Sequence, residues 1–186
     1  MTTRAEIRRL LAQGRYALSS GRVKEALPLV QAQPALAAHL VELLFEQDVG
    51  IAQRAADVLE RVSHKPSPAL YRVLARLKSA LLGLLSEAQP KKLRWNLALT
   101  LGRLPLTAAE ARRAAEVLQS WLDDPSSIVK TAALQCMADL TRHDPSLLPM
   151  VLDLLRIHSR GGTPAMRARC RILLKRLERT SGNEER

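Results

Sequence analysis

A twelve-residue pattern recurs four times along the chain and constrains the fold more than any other feature. Apolar residues coincide at the first, fifth, ninth and twelfth positions of each segment, the spacing of one buried face of an α-helix. The segments begin at residues 51, 93, 129 and 166, so they are 42, 36 and 37 residues apart. Each step is long enough for about one helical hairpin. The sequence therefore predicts a series of similar hairpins, with an irregular helical bundle as the alternative.

Ten helices are predicted, and composition favours helices over strands. Hydrophobic residues make up 47% of the chain but aromatic residues only 3%, so Leu and Ala, both strong helix formers, supply the core. Thr107 with Glu110 has the spacing of a capping box, and Thr163 before Pro164 is typical of a helix start. The predicted helices lie near 3–18, 22–32, 34–46, 49–63, 67–87, 90–104, 107–122, 126–142, 146–159 and 163–179. Prolines stand near six of the starts, at Pro34, Pro68, Pro90, Pro125, Pro145 and Pro164.

The recurring segment resembles the HEAT-repeat family. In that pattern an Asp near the end of the first helix precedes an apolar-basic pair at the start of the second, as in Asp124, Val129 and Lys130. Leu93-Arg94 and Met166-Arg167 keep the apolar-basic pair but lack the preceding Asp. The resemblance covers about residues 34–179 and implies an all-α fold, an α-α superhelix of about four to five hairpins.

The same resemblance implies one repeat domain. We expect residues 1–179 to form a single HEAT-like domain, in which 1–33 are a leading hairpin or cap and 34–179 are the repeats. Residues 180–186 are expected to be a flexible tail.

Positive charge is unevenly distributed. The chain has 29 Lys and Arg against 18 Asp and Glu, a formal net charge of +11, which favours an anionic partner or simply solvates helix surfaces. Residues 156–179 hold eight basic residues and a single acid, Glu178. Arg167, Arg171 and Lys175 recur every four residues and form a like-charged row on one helix. Such a row favours binding of an anionic partner, although a terminal helix is also made basic for solubility.

In HEAT-like arrays the second helices line the concave surface, so the resemblance implies a basic binding face there. Register alignment places Arg61, Arg103, Asp139 and Arg176 at one equivalent position. Arg94, Lys130 and Arg167 share another, where the family's basic residue commonly pairs with an Asp of the protein itself. The candidate basic binding face consists of Arg103, Arg167, Arg169, Arg171, Lys175 and Arg176.

Catalytic, cofactor and metal sites are not predicted. The sequence has no glycine-rich phosphate loop, metalloprotease His pair or Cys-x-x-Cys motif. Alkylpurine DNA glycosylases use a similar fold and charge, with tryptophans around a catalytic Asp, and Trp121 with Asp123 or Asp124 is the local counterpart. A simpler interpretation places Trp121 in the core and Asp124 in the structural pattern of the repeat. The four histidines, His39, His64, His143 and His158, are too far apart in sequence to share a metal.

These features together predict a non-enzymatic interaction scaffold that binds an acidic or extended protein partner on its concave surface. Sequence-independent nucleic-acid binding through phosphate contacts is the alternative, and glycosylase activity a third possibility. Cys136 and Cys170 lie in apolar helical patterns, no transmembrane segment or leader is predicted, and we expect a cytoplasmic protein without cofactors.

Overall fold

The computed structural model describes residues 2–16, 19–87 and 91–184, and every regular element within these ranges is helical. This confirms the all-α prediction. Two 3₁₀ helices, Trp121–Asp123 and Pro145–Leu147, lead into helices of the second half. The ten α-helices are α1 (Arg4–Ala12), α2 (Val23–Ala32), α3 (Leu36–Leu43), α4 (Val49–Val62), α5 (Pro68–Leu85), α6 (Lys91–Leu101), α7 (Ala108–Ser120), α8 (Ser127–Leu140), α9 (Leu148–Gly161) and α10 (Pro164–Glu184).

Helix bounds differ from the predictions at both ends of the chain. The first helix, predicted to reach residue 18, ends at Ala12, where Gln13 adopts an extended conformation. The last helix continues to Glu184, five residues beyond its predicted end. Flexibility of 180–186 stays a prediction, and 185–186 lie outside the described residues, as does the predicted helix start at Pro90.

The chain divides into two compact units, Met1–Leu104 and Pro105–Arg186. Each has its own packed helices, α1–α6 in unit 1 and α7–α10 in unit 2. A single repeat domain over residues 1–179 stays a prediction.

Helix α4 lies at the centre of unit 1 and packs against α1, α2, α3 and α6. Its residues 50–59 are all buried, with Ile51 and Leu59 at 2% and 1% exposure. Ala52, Ala55 and Ala56 allow the surrounding helices to approach closely because their side chains end at Cβ. Burial of one Leu or Ile side chain stabilises the fold by about 1.5–3 kcal/mol. The buried residues of α4 therefore contribute strongly to the stability of unit 1.

Arg54 is buried in α4 and fixes the segment between α1 and α2. Its guanidinium donates to the carbonyl oxygens of Leu11, Tyr16 and Ser19. Burial lowers the pKa of Arg54 from its usual value, and the nearby Asp48 carboxylate partly offsets that shift. These bonds explain why the chain leaves the helix at Ala12: carbonyl groups of the following segment turn towards Arg54.

Helix α8 lies at the centre of unit 2 and packs against α7, α9 and α10. The predicted capping box begins α7, with the Glu110 amide donating to Thr107 Oγ1 at 3.2 Å and the Thr107 amide to Glu110 Oε2 at 2.8 Å. Helices α9 and α10 form the last hairpin, and α10 packs on both α9 and α8. The predicted N-cap of α10 is also present, since the Met166 amide donates to Thr163 Oγ1 at 3.4 Å.

Candidate functional site

Arg103 of the candidate basic face is engaged within unit 1. Its Nη1 donates to the Glu60 carbonyl oxygen at 2.9 Å and to Ser63 Oγ at 2.8 Å, and its Nη2 lies 2.8 Å from Glu60 Oε1. The Arg103 side chain is only 22% exposed. These contacts join the turn after α6 to the end of α4, which is a structural role. That Arg103 contributes to binding a partner stays a prediction.

The other five candidate residues lie on α10, and two of them face α8. Arg176 Nη1 lies 2.7 Å from Asp139 Oδ1, and Arg169 Nη1 donates to Gln135 Oε1 at 3.4 Å. Gln135 in turn donates to Asp139 Oδ2 at 2.8 Å. The Asp139 carboxylate offsets the charge of Arg176, the Gln135 amide oxygen accepts from Arg169, and both contacts connect α10 to α8.

Arg167, Arg171 and Lys175 form the remaining group, here named the basic edge. At 3.6 residues per turn, Arg171 lies about 160° around α10 from Arg169, so the basic edge is turned away from α8. Arg167 is half-buried, whereas Arg171 and Lys175 are exposed. No side-chain hydrogen bond or ion pair involves any of the three among the residues that the structure describes.

Helices α9 and α10 pack against each other, and the basic edge runs beside the line along which their outer sides meet, here named the α9–α10 furrow. Arg156 Nη2 of α9 lies 3.9 Å from Glu178 Oε1 of α10, and Arg156 also pairs with Asp153 at 3.0 Å. Leu152 lies one turn before Arg156, and Leu174 one turn before Glu178, so both lie on the side of the hairpin marked by this ion pair. Both leucines are half-buried. Apolar surface and unpaired positive charge therefore occur side by side.

The residues considered for glycosylase chemistry have structural contacts. Trp121 is buried at 7% exposure, and Asp124, also at 7%, accepts a hydrogen bond of 2.7 Å from the Ser126 amide at the start of α8. Asp123 is exposed and Trp95 half-buried. Core packing accounts for Trp121, and a hydrogen bond in the turn before α8 accounts for Asp124, in line with the simpler interpretation of the sequence.

Within the described residues, no group of three His, Cys, Asp or Glu side chains could hold a metal ion. His39 lies 2.9 Å from Glu42, which is on the same helix, α3. His64, just beyond the end of α4, lies 2.9 Å from Glu60 of that helix. Burial, assisted by the charge of Lys130, lowers the pKa of His158 below its usual value. Cys136 and Cys170 are buried thiols, and burial raises the pKa of Cys170.

A depression of about 340 Å³ lies on the other unit, between α1 and α2, and is wide open to solvent. Arg9, Arg22 and Glu6 line it together with Gln13. Arg22 is engaged there, since it pairs with Glu25 and donates to Gln13 Oε1 at 3.0 Å. This depression therefore has less unpaired charge than the basic edge. No described helix combines the length and the apolar composition that a bilayer crossing requires.

Sequence reasoning missed the positions of two charged residues. Arg54 is buried, and Lys92 of α6 lies 3.4 Å from Asp57 Oδ2 in a pair whose side chains are only 6% and 7% exposed. The available signal was that the register of α4 places Arg54 and Asp57 among its alanines and leucines. The identity of their partners depends on tertiary packing.

The four recurring segments of the sequence lie on α4, α6, α8 and α10, the second helices of successive helical hairpins. Hairpins of this kind define the class of fold, a HEAT-like α-solenoid. The structure is similar to the archaeal HEAT-like repeats protein from Thermococcus onnurineus NA1, with a TM-score of 0.63 and 18% identity. That similarity covers 91% of this chain and 63% of the archaeal one, so this chain spans less than two thirds of that protein. The predicted resemblance and fold class are thereby confirmed; at this identity the likeness concerns the fold alone.

Other comparisons add little. An engineered protein of known structure matches over 96% of this chain and 97% of its own, at 14% identity and a TM-score of 0.44. No protein-family model matches the chain, and no curated protein matches it.

Proposed function

We propose that this protein is a non-enzymatic interaction scaffold that binds an acidic or extended protein partner through the surface presented by its second helices. HEAT-like folds commonly serve as protein-interaction scaffolds, because stacked hairpins offer long surfaces for distributed contacts. The basic edge on α10 is the part of that surface assigned here to the acidic partner. Binding on a concave surface, as the resemblance implied, is part of the same proposal.

The observation that carries the proposal is the contrast between two sets of cations on α10. Arg176 has the Asp139 carboxylate, and Arg169 the Gln135 amide oxygen, whereas Arg167, Arg171 and Lys175 have no partner among the described residues. Like charges four residues apart on a helix cost about 0.2–0.5 kcal/mol per pair. An acidic partner would remove this repulsion and gain complementary contacts, with the largest effect on the association rate and on specificity.

Nucleic acid is the alternative partner. The basic edge is equally able to contact phosphate oxygens. Two further exposed arginines, Arg160 on α9 and Arg179 on α10, could add to these contacts. The exposed aromatic residues of the described chain, Tyr16, Phe45 and Tyr71, all lie in unit 1. Binding at α10 would therefore depend on phosphate contacts rather than on base stacking, and would be independent of sequence.

A titration at two salt concentrations tests the proposal. The fluorescent probes are poly-glutamate, as an acidic polypeptide, and a short DNA duplex. The test variant reverses the basic edge, with Arg167→Glu, Arg171→Glu and Lys175→Glu. A matched variant, Lys24→Glu, Arg76→Glu and Arg113→Glu, reverses three exposed cations of other helices and has the same net charge.

Tight binding of the acidic polypeptide that only the edge variant loses supports the proposal. Preference for the duplex, with a steep loss of affinity in salt, favours the nucleic-acid alternative. Equal losses in both variants would mean that net charge alone governs association, and would contradict a site on α10.

A further inference from the structure

We propose that the basic edge and the adjoining α9–α10 furrow together dock an acidic amphipathic helix of the partner protein. This inference rests on the proposed function and specifies the partner's structure at the site. Three features carry it: the row of cations that have no partner among the described residues, the half-buried Leu152 and Leu174, and the absence of any strand in the same part of the chain.

The spacing of the cations fits a helix. Residues four apart rise by about 6 Å along α10, so the row extends over about 12 Å. Carboxylates at positions i, i+4 and i+8 of a second helix have the same spacing. The row also winds around α10 as a ridge, and ridges of this kind pack into the grooves of another helix. A docked helix would therefore cross α10 at an angle, with its acidic stripe against the basic edge.

Apolar contact is the second requirement, and the furrow supplies it. Leu152 and Leu174 are half-buried, so a docked helix would complete the burial of both. The Arg156–Glu178 ion pair, one turn beyond each leucine in sequence, marks the same side of the hairpin. An apolar residue adjoining the acidic stripe would cover Leu174, which lies between the basic edge and α9.

An extended peptide is a poorer occupant because its backbone amides need partners. Extended segments usually satisfy them by adding a strand to a sheet edge, and no strand exists in the described part of the chain. A helix bonds its own backbone internally. A second copy of this chain is also disfavoured, since each copy has a formal net charge of +11.

Two synthetic peptides of identical composition distinguish a helix from a merely acidic chain. In the striped peptide, glutamates occupy i, i+4 and i+8 of an alanine-based helix with leucines alongside. In the scrambled peptide, the same residues are distributed around the helix. Fluorescence anisotropy would measure the affinity of each for the unmodified protein, the edge variant and the matched variant described above.

We expect the striped peptide to bind at least about tenfold more tightly than the scrambled one, a difference of about 1.4 kcal/mol. The edge variant should lose this preference, and the matched variant should retain it. Leu174→Gln should weaken binding of the striped peptide more than Ile157→Gln, which changes a residue 63% exposed on α9. Circular dichroism and urea unfolding would check that each variant is folded.

Equal affinity for both peptides, lost in the edge variant, would overturn the helix inference while leaving the proposed function intact. If neither peptide binds but the DNA duplex binds tightly, both the helix inference and the proposed function are overturned in favour of nucleic acid. Equal effects of Leu174→Gln and Ile157→Gln would overturn docking in the furrow. Self-association of the protein alone, abolished in the edge variant, would make a second copy the occupant.

Discussion

The guanidinium of Arg176 lies 2.7 Å from the carboxylate of Asp139, joining α10 to α8. Arg103 makes the equivalent contact in unit 1, where it lies 2.8 Å from Glu60 of α4. In both units, therefore, a basic residue at the same repeat position bonds an acid of an earlier second helix. These contacts hold neighbouring second helices together, so the α10 cations that pair with none of the described residues are the better candidates for contact with a partner.

Substitutions at two adjacent residues of α10, Arg176 and Lys175, are predicted to have different effects, the first on stability and the second on binding. Arg176→Gln should reduce the free energy of unfolding by about 0.2–1 kcal/mol, because the Asp139 pair is partly exposed, and should leave the affinity for an acidic peptide nearly unchanged. Lys175→Gln should weaken that affinity by about two- to fivefold, or about 0.4–1 kcal/mol, without loss of stability. Urea unfolding and anisotropy titrations would measure the two effects. The opposite assignment of effects would place the binding surface on the α8 side.

Five of the six candidate residues lie on α10, near the predicted helix 163–179, but the sequence did not indicate which side chains they contact. Arg94, Lys130 and Arg167 were interpreted as residues that pair within the protein, yet Arg167 has no ion pair among the described residues. Arg103 and Arg176, for which the sequence offers fewer obvious acidic neighbours, have Glu60 and Asp139 as partners. Repeat register predicts which positions are equivalent; the partner depends on which side chain occupies the neighbouring helix.

Removal of Asp57 is predicted to destabilise unit 1 strongly. Asp57 Oδ2 lies 3.4 Å from Lys92 Nζ in a buried pair, and Asp57 Oδ1 accepts from Arg61 Nε at 2.6 Å. Asp57→Ala leaves the Lys92 charge buried without this carboxylate, which should cost about 3–5 kcal/mol in the free energy of unfolding. Urea denaturation would measure the loss.

The double variant Asp57→Leu with Lys92→Met provides the control for that prediction. It removes both charges and fills similar volume, so it should be more stable than Asp57→Ala. A double variant no more stable than the single one would show that the loss arises from packing or from the Arg61 contact rather than from the buried charge.

Helix positions were more predictable than helix ends. All ten α-helices of the described chain were expected near their observed positions, because apolar periodicity and N-terminal caps such as Thr107 are local features. The end of α1, by contrast, is not determined by the local sequence. The carbonyl groups of Tyr16 and Ser19, beyond Ala12, bond Arg54, which lies 38 and 35 residues later in sequence, and no pattern within residues 3–18 reveals those contacts.

Arg54 is therefore predicted to hold the segment between α1 and α2. Arg54→Met retains most of the side-chain volume but cannot donate to Leu11, Tyr16 and Ser19. A buried acceptor without a donor costs about 1–3 kcal/mol, so the free energy of unfolding should fall by at least that amount. Limited trypsin digestion should cut faster after the exposed Arg15, as local opening becomes easier.

The exposed Arg113→Met is the matched substitution for Arg54→Met. It should change neither the unfolding free energy nor the rate of cleavage after Arg15. Unchanged cleavage in Arg54→Met would mean that other contacts hold this segment, and would contradict the role assigned to the buried guanidinium.

His158 is predicted to make stability depend on pH. Its pKa in the folded protein is lowered by burial first and by the Lys130 charge second, from a usual value of 6.5. As the pH falls below about 6.5, the unfolded chain binds a proton that the folded protein resists, so the free energy of unfolding decreases until the pH passes the folded pKa.

Urea unfolding of the unmodified protein and of His158→Gln between pH 7.5 and 5 should show a steeper decrease in the former. Parallel pH profiles for the two proteins would assign the decrease to other groups. The window lies above the pH range in which the Asp144 carboxyl titrates, since hydrogen bonds from Ser146 and the charge of Arg112 hold its pKa below 3.8, so that carboxyl does not contribute to the difference.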